Sequence, residues 1–181
     1  MSKMQSEGGV REMIVNIGEV ATFPNPRADY DQAVKILEEA AEAFAAWQQF
    51  DAKGRAMYRQ PFLHKLFNEL ADLIMASSNM LRGLDRDPAT TCECEPMVLE
   101  KGGLLLLLVD SARVYGAFEE LESAHILEYG EKASETRLVQ GLRELQEDVC
   151  MVIASLGVDD FTTYMQACER RNRWRGRYER A

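Results

Sequence analysis

The sequence predicts an all-α protein with a four-helix-bundle core, formed by two tandem helical hairpins and followed by a C-terminal helix. Two observations predict this fold. Hydrophobic residues make up 46 % of the 181 residues, which is enough to bury a core. Apolar side chains recur at helical spacing through most of the chain, whereas the one strand signal is some β-branched character in residues 13–23, before Pro24 and Pro26. We therefore expect residues 1–28 to be irregular apart from a short strand.

The first predicted helix begins at Asp29 and continues to about residue 50, and its core stripe passes through Leu37 and Phe44. Pro61 suits the first turn of a second helix, which continues to about residue 84. The stripe predicted to be buried on this second helix consists of Leu63, Phe67, Leu70, Ile74, Ser77 and Leu81. Residues 85–96 are predicted to form a loop.

Three more helices are predicted in the second half of the chain. Their bounds are about 104–121, about 136–156 and about 160–171, and residues 123–129 extend the first of these or form a separate helix. Gly157 favours a helix stop because glycine readily adopts the left-handed conformation found at helix C-termini. Asp160 is a suitable N-cap for the last helix because its carboxylate can accept a hydrogen bond from a backbone N–H.

The second pair of long helices repeats the pattern of the first pair. The aligned segments are 35–47 with 106–118, and Glu69 and Asp72 with Glu144 and Glu147. The alignment predicts a duplicated helical hairpin, with one copy in residues 29–90 and a second in residues 97–181. Convergent amphipathic patterning is the alternative explanation.

Two acid pairs, Glu39 with Glu42 and Glu69 with Asp72, have i, i+3 spacing on consecutive predicted helices. This spacing places both carboxylates of a pair on one helix face, so two facing helices can bring four carboxylates together. Grouped carboxylates repel each other, and a divalent cation removes that repulsion. Mg²⁺ suits oxygen ligands, and Mn²⁺ is an alternative ion. The other interpretation is an ordinary acidic surface, in which Lys35 forms a helix salt bridge with Glu39.

The wider sequence around the acid pairs has a recognisable order. It reads Glu38-Glu39-Ala-Ala-Glu42, then 26 residues, then Glu69-Leu-Ala-Asp72. Asn79 follows ten residues after Glu69. This order resembles the motif of the all-α nucleoside triphosphate pyrophosphohydrolases, which include the MazG-like proteins and the dimeric dUTPase relatives. The resemblance covers residues 30–85 well and residues 158–178 more loosely.

The resemblance implies a Mg²⁺-dependent hydrolase that converts a nucleoside triphosphate into a nucleoside monophosphate and pyrophosphate. The implied metal ligands are Glu39, Glu42, Glu69 and Asp72. The implied catalytic residues are Glu38 and Glu39, with Glu38 orienting or deprotonating the attacking water. The implied substrate-binding residues are Lys35, Lys65, Asn79, Arg170, Arg171 and Arg175. A nucleotide- or metal-binding regulatory protein without turnover stays open as the alternative function. Homodimerisation also stays open.

The second predicted hairpin departs from the motif. Asp110 corresponds to Glu39, but Arg113 stands where the first hairpin has Glu42. Because an arginine competes with a metal ion for carboxylates, we expect one working site per chain, completed by a degenerate copy of the hairpin.

Net charge and cysteine content narrow the class of protein further. The net charge is −9, so the chain is not expected to bind nucleic acid. Residues 169–181 are the exception, with six arginines against two glutamates, and this basic tail is either solvated or closes over a polyphosphate. The sequence has four scattered cysteines, no apolar leader and no apolar run of membrane-spanning length. A reduced, cytoplasmic setting is the expectation.

Overall fold

The computed structural model describes residues 12–53, 59–99 and 104–179, and within them it confirms the predicted helical fold. Five helices and two short strands are present in this part of the chain. Their bounds are β1 Met13–Asn16, α1 Tyr30–Ala52, α2 Gln60–Gly83, β2 Thr91–Cys94, α3 Leu105–Leu127, α4 Glu131–Ser155 and α5 Thr162–Trp174. None of the described helices is both long and apolar enough to cross a membrane.

Helices α1 and α2 form the first hairpin and run antiparallel. Near the start of α1, the Gln32 amide donates to the carbonyl of Ala76 at the far end of α2, at 2.8 Å. Near the end of α1, Gln49 accepts a 3.1 Å hydrogen bond from Lys65, in the second turn of α2. Asp29 caps α1 as predicted, because its Oδ1 accepts from the backbone N–H of Gln32 at 3.0 Å.

Helices α3 and α4 form the second hairpin, joined by a tight turn. Residues 123–127 extend α3, and α4 begins five residues earlier than predicted, at Glu131. The turn explains this early start. Glu128 and Gly130 both adopt left-handed conformations, with φ of 52° and 77°, and so reverse the chain. The Gly130 carbonyl then accepts from the N–H groups of Ala133 and Ser134 and starts the new helix.

The two hairpins pack side by side, α1 against α3 and α2 against α4, and α5 packs on α2. Helix α2 is the centre of the protein, since every residue from Leu73 to Leu81 is buried. Two of these buried residues are serines. Both hydroxyls accept from the Gln146 amide of α4, at 3.1 Å for Ser77 and 3.0 Å for Ser78. A polar contact therefore links the two hairpins inside the core.

The core face predicted for α1 is wrong by about one position. Leu37 and Phe44 are only half-buried. The fully buried positions are instead Ala33, Ile36, Ala40, Ala43, Ala46, Trp47 and Phe50. Small alanines allow close approach to neighbouring helices, so α1 turns its alanine-rich face inward rather than its largest side chains. One consequence is that Glu39, adjacent to this face, is 7 % exposed.

A strand forms inside the segment predicted as a loop. Residues of β2 pair antiparallel with β1, in a register that places Met13 opposite Cys94 and Asn16 opposite Thr91. The strand has only four residues, and its partner lies far away in the chain, so no local pattern indicated it. Asn16 also bonds, through its N–H and its carbonyl, to Asp159 and Phe161. The small sheet thus ties the N-terminal segment to the start of α5.

Helix α5 begins two residues after Asp160 and ends at Trp174, three residues beyond the prediction. Asp160 still serves the beginning of the helix, because its Oδ1 accepts from both the N–H and the hydroxyl of Thr162, at 3.1 and 2.7 Å. This placement brings the basic end of the chain back over α2, where two of the four predicted metal ligands, Glu69 and Asp72, lie.

Candidate metal centre

Three carboxylates from the first hairpin meet between α1, α2 and α5. Glu39, Glu69 and Asp72 each offer one oxygen, and these atoms all lie within 4.8 Å of one another. Glu39 is buried, while Glu69 and Asp72 are half-buried. The antiparallel pairing of α1 with α2 brings them together, because i, i+3 spacing sets Glu69 and Asp72 on the same face of α2.

Two cations already neutralise part of this cluster. The Lys35 ammonium lies 2.8 Å from Glu39 and 3.2 Å from Glu38. From α5, Nη2 of Arg171 donates to both oxygens of Asp72, at 3.0 and 2.9 Å. Helix α5 therefore closes one side of the cluster.

The surroundings of Asp72 include a thiol. Cys168, one turn before Arg171 on α5, donates from Sγ to Oδ1 of Asp72 at 2.9 Å. Burial and the nearby Asp72 carboxylate raise the pKa of this thiol, so it remains protonated and acts as a donor. Arg171 also donates to Oδ1 of Asn68, at 2.9 Å, which fixes α5 to α2.

The carboxylates repel one another. Burial raises the pKa of Glu39, and Asp72 and Glu42 raise it further, while Lys35 opposes the shift. Burial is also the main cause of the raised pKa of Glu69, followed by the charges of Glu42, Asp72 and Glu39. The cluster is therefore a place where a bound cation relieves charge repulsion.

The residues present fit a small, hard divalent cation. Oxygen-only ligands suit Mg²⁺, which binds at about 2.1 Å, so ligand oxygens on one ion are at most about 4.2 Å apart. The three oxygens lie within 4.8 Å of one another and are therefore close to the spacing that one ion requires. An enclosed cavity of about 40 Å³ borders Glu39, Asp72, Lys35 and Asn79. That volume holds an ion with bound water.

Several residues predicted for the site lie at its edge or outside it. Glu42 is exposed and does not join the three-carboxylate group. Its charge is nevertheless close enough to raise the pKa of Glu39 and of Glu69. Glu38 is exposed and held by Lys35. Lys65 donates to Gln49, away from the cluster, and reaches Glu69 only as a charge that lowers its pKa. Arg170 is exposed and borders neither the cavity at Glu39 and Asp72 nor the larger cleft beside that cavity.

Other predicted residues do converge on the site. Asn79 is 1 % exposed and borders the enclosed cavity, and its Oδ1 accepts from the backbone N–H of Phe23 at 2.7 Å. Its amide nitrogen has no hydrogen-bond partner among the described residues. Arg175 borders the same cavity. Arg177 also borders it, and Arg27 lies beside it, although the sequence analysis singled out neither residue. The arginine-rich tail was a signal for Arg177, whereas nothing in the sequence pointed to Arg27.

Comparisons with known proteins do not decide what this site does. No protein-family model, no curated protein and no solved structure matches the chain. The likeness of the acidic motif to the pyrophosphohydrolases therefore stays a prediction, and the function has to be argued from the geometry of the site.

The corresponding region of the second hairpin is arranged differently. Asp110, the counterpart of Glu39, is 5 % exposed, and Oδ1 accepts from Arg113 at 2.7 Å. Burial, followed by the adjacent Asp110, raises the pKa of Asp148 to about 7. Glu144 accepts from Gln140 at 2.8 Å. In the described part of the chain, no group of three potential ligands forms here.

A separate cavity of about 570 Å³ lies near the ends of α1 and α4 and is bordered by Trp47, Phe50 and Leu63. It shares no bordering residue with the metal-centre cavity. Trp47 is 3 % exposed and packs against Phe50, with ring centroids 5.6 Å apart. It is therefore a core residue.

Proposed function

We propose that this protein is a Mg²⁺-dependent nucleoside triphosphate pyrophosphohydrolase, which cleaves a (deoxy)nucleoside triphosphate to the monophosphate and pyrophosphate. The observation that carries the proposal is the meeting of Glu39, Glu69 and Asp72 with two cationic side chains, Lys35 and Arg171. Carboxylates for a metal ion beside cations for phosphate oxygens are the components that phosphoryl chemistry requires.

Glu39, Glu69 and Asp72 would hold the ion, Mg²⁺ or alternatively Mn²⁺, with the exposed Glu42 available as an outer ligand. When bound, such an ion neutralises phosphate charge and lowers the pKa of a bound water. The side chains that now neutralise the carboxylates, Lys35 and Arg171, are then free to bind phosphate oxygens. Charge-assisted hydrogen bonds of this kind are strongest in the half-buried setting that both residues have.

The reaction is hydrolysis of a phosphoanhydride. Water oxygen forms a bond to the α-phosphorus, the bond from that phosphorus to the bridging oxygen breaks, and pyrophosphate leaves. Glu38 is the proton acceptor in this proposal, because it lies at the rim of the cluster, exposed to water and held 3.2 Å from Lys35. Glu39 serves as a metal ligand beside it.

A non-catalytic nucleotide- or metal-binding regulatory protein is the second candidate. The specific observation in its favour is the contact of Arg171 with both oxygens of Asp72, which satisfies this carboxylate without an ion. A site closed in this way can bind a ligand and change the position of α5 without performing chemistry.

One experiment separates the two functions. Pyrophosphate and orthophosphate are measured separately with a panel of ribo- and deoxynucleoside triphosphates and Mg²⁺. The hydrolase releases pyrophosphate, and Asp72→Asn or Glu69→Gln abolishes the release. The matched controls are Glu147→Gln and Glu144→Gln, the counterparts in the second hairpin, which should retain activity. Binding without product supports the regulatory protein, and activity that survives in Asp72→Asn refutes the site assignment.

A further inference from the structure

A larger basic cleft opens beside the metal centre. It has a volume of about 700 Å³ and lies between the loop before α1, the first turn of α1, the end of α2 and the turn after α5. Four cationic side chains border it: Arg27, Lys35, Arg175 and Arg177. It shares Lys35, Asn79 and both tail arginines with the enclosed cavity at Glu39 and Asp72. The cleft is therefore continuous with the metal centre.

The cations converge from three separate parts of the chain. Arg27 precedes α1, Lys35 lies in its second turn, and Arg175 and Arg177 follow α5. The acids that border the cleft are Asp29 and Asp31. Because Asp29 is used to cap α1, its charge is partly compensated by the helix N-terminus. The cleft therefore has an excess of positive charge in a protein whose net charge is −9.

Packing holds the end of the chain in this position. The guanidinium of Arg177 lies over the ring of Phe23, 5.7 Å from its centroid. Phe23 packs edge-on against Tyr178, with centroids 5.3 Å apart, and the Tyr178 hydroxyl donates to the carbonyl of Ala21. The basic turn after α5 is thus attached to the N-terminal loop and forms one wall of the cleft.

Asn79 provides an independent indication of a ligand. The side chain is 1 % exposed and borders both the cleft and the enclosed cavity. Its carbonyl oxygen accepts from Phe23, while its NH₂ group has no partner among the described residues. An unpaired buried donor is unfavourable, so an acceptor bound at this position would satisfy it.

We propose that the basic cleft binds the two terminal phosphates of the substrate, and so holds the pyrophosphate leaving group. This inference rests on the proposed function for the position of the reacting α-phosphate at the carboxylates. Two phosphoryl groups carry about three to four negative charges near neutral pH, which matches the cationic border, whereas an uncharged nucleobase would leave it uncompensated. The nucleoside then lies on the far side of the metal centre, and the cleft selects for a polyphosphate rather than for a base.

The test is direct binding of inorganic pyrophosphate to the full chain, measured by calorimetry with and without Mg²⁺. Arg27→Gln and Arg177→Gln are each expected to weaken pyrophosphate binding by about twofold to fivefold, the usual effect of losing one exposed charge contact. Arg173→Gln is the matched control, because Arg173 is an exposed arginine of the same region that pairs with Glu169 and borders neither cavity. The control should change the affinity by less than twofold.

A competition experiment tests the selectivity. Inorganic tripolyphosphate should displace pyrophosphate, and nucleosides without phosphate should not. Displacement by a nucleoside, or equal effects of Arg27→Gln, Arg177→Gln and Arg173→Gln, would overturn the proposal. Thermal unfolding of each variant verifies that it folds.

The two proposals fail in different ways. If pyrophosphate binds and depends on Arg27 and Arg177 while no triphosphate is hydrolysed, the cleft is correct and the hydrolase is wrong. If triphosphates are hydrolysed and Asp72→Asn abolishes this, while the two arginine variants bind pyrophosphate like the parent, the hydrolase stands and the cleft assignment fails.

Discussion

Mg²⁺ should stabilise the folded protein, and Asp72→Asn should weaken this effect. The three carboxylates are near one another only because α1 and α2 are folded together, so the ion binds the native state in preference to the unfolded chain. At an ion concentration of 100 times Kd, mass action stabilises the native state by about 2.7 kcal/mol. For a protein of 181 residues, each kcal/mol raises Tm by about 2–4 °C, so the expected rise is about 5–10 °C.

Asp72→Asn removes one of three carboxylates and leaves Arg171 without its anionic partner. A tenfold weaker ion affinity corresponds to about 1.4 kcal/mol, so the Mg²⁺-dependent rise in Tm should shrink by about 3–5 °C. The assay is thermal unfolding followed by circular dichroism, with and without Mg²⁺ at matched ionic strength. Glu147→Gln, at the corresponding position of the second hairpin, should keep the full rise. An equal rise in Asp72→Asn and in the parent protein would refute the assignment of the ion to this cluster.

Three further changes test the packing that supports the site. Burial and the adjacent Asp110 raise the pKa of Asp148 from 3.8 to about 7. Between these values the native state holds a proton that the unfolded chain releases. Stability is therefore lost as the pH rises from about 4 through 7. Asp148→Asn should raise the free energy of unfolding by about 1–2 kcal/mol at pH 8, after allowance for solvent screening, with no effect at pH 4 in urea titrations. Gly83→Ala should lower stability by about 2–4 kcal/mol in the same assay, since its Cβ would overlap the backbone nitrogen of Ala28. Gln146→Leu should cost about 1–2 kcal/mol in urea unfolding, because it removes the donor shared by two buried serine hydroxyls.

The helical fold could be predicted because its signals are local. Asp29 supplies a cap, Pro61 suits a first turn, and both α1 and α2 begin within one residue of the predicted positions. The strand β2 was missed for the opposite reason. Its four residues gain their hydrogen bonds from β1, roughly eighty positions earlier, and a single sequence contains no record of that pairing.

The site was only partly predictable, because it depends on the rotation of one helix. Spacing alone places Glu39 and Glu42 about 60° apart on the wheel, so a small rotation decides which carboxylate is buried. The rotation follows from close packing at Ala40 and Ala43 rather than from the largest apolar side chains, and it buries Glu39 while Glu42 stays exposed. The position of Arg27 in the cleft was not predictable at all, since it results from the packing of the N-terminal loop against Gly83 at the end of α2.

The two hairpins differ in how their acidic residues are neutralised, and because of this difference we expect an ion at only one of them. In the second hairpin, Asp110 is paired with Arg113 on its own helix, and its other acidic neighbour, Asp148, has a pKa near neutrality and can carry a proton. In the first hairpin, Lys35 and Arg171 neutralise two carboxylates, but Glu69 forms no ion pair among the described residues.

A negative charge is therefore left over in the first hairpin, in a group of three carboxylate oxygens that lie within 4.8 Å of one another. The cation that holds Asp72 there belongs to α5, a separate helix, whereas Arg113 lies three residues from Asp110 on the same helix. Exchange of Arg171 for a metal ion is consequently feasible in the first hairpin, with the released guanidinium remaining beside the basic cleft. The same exchange in the second hairpin would have to displace both a local arginine and a proton, so we expect one ion site among the described residues.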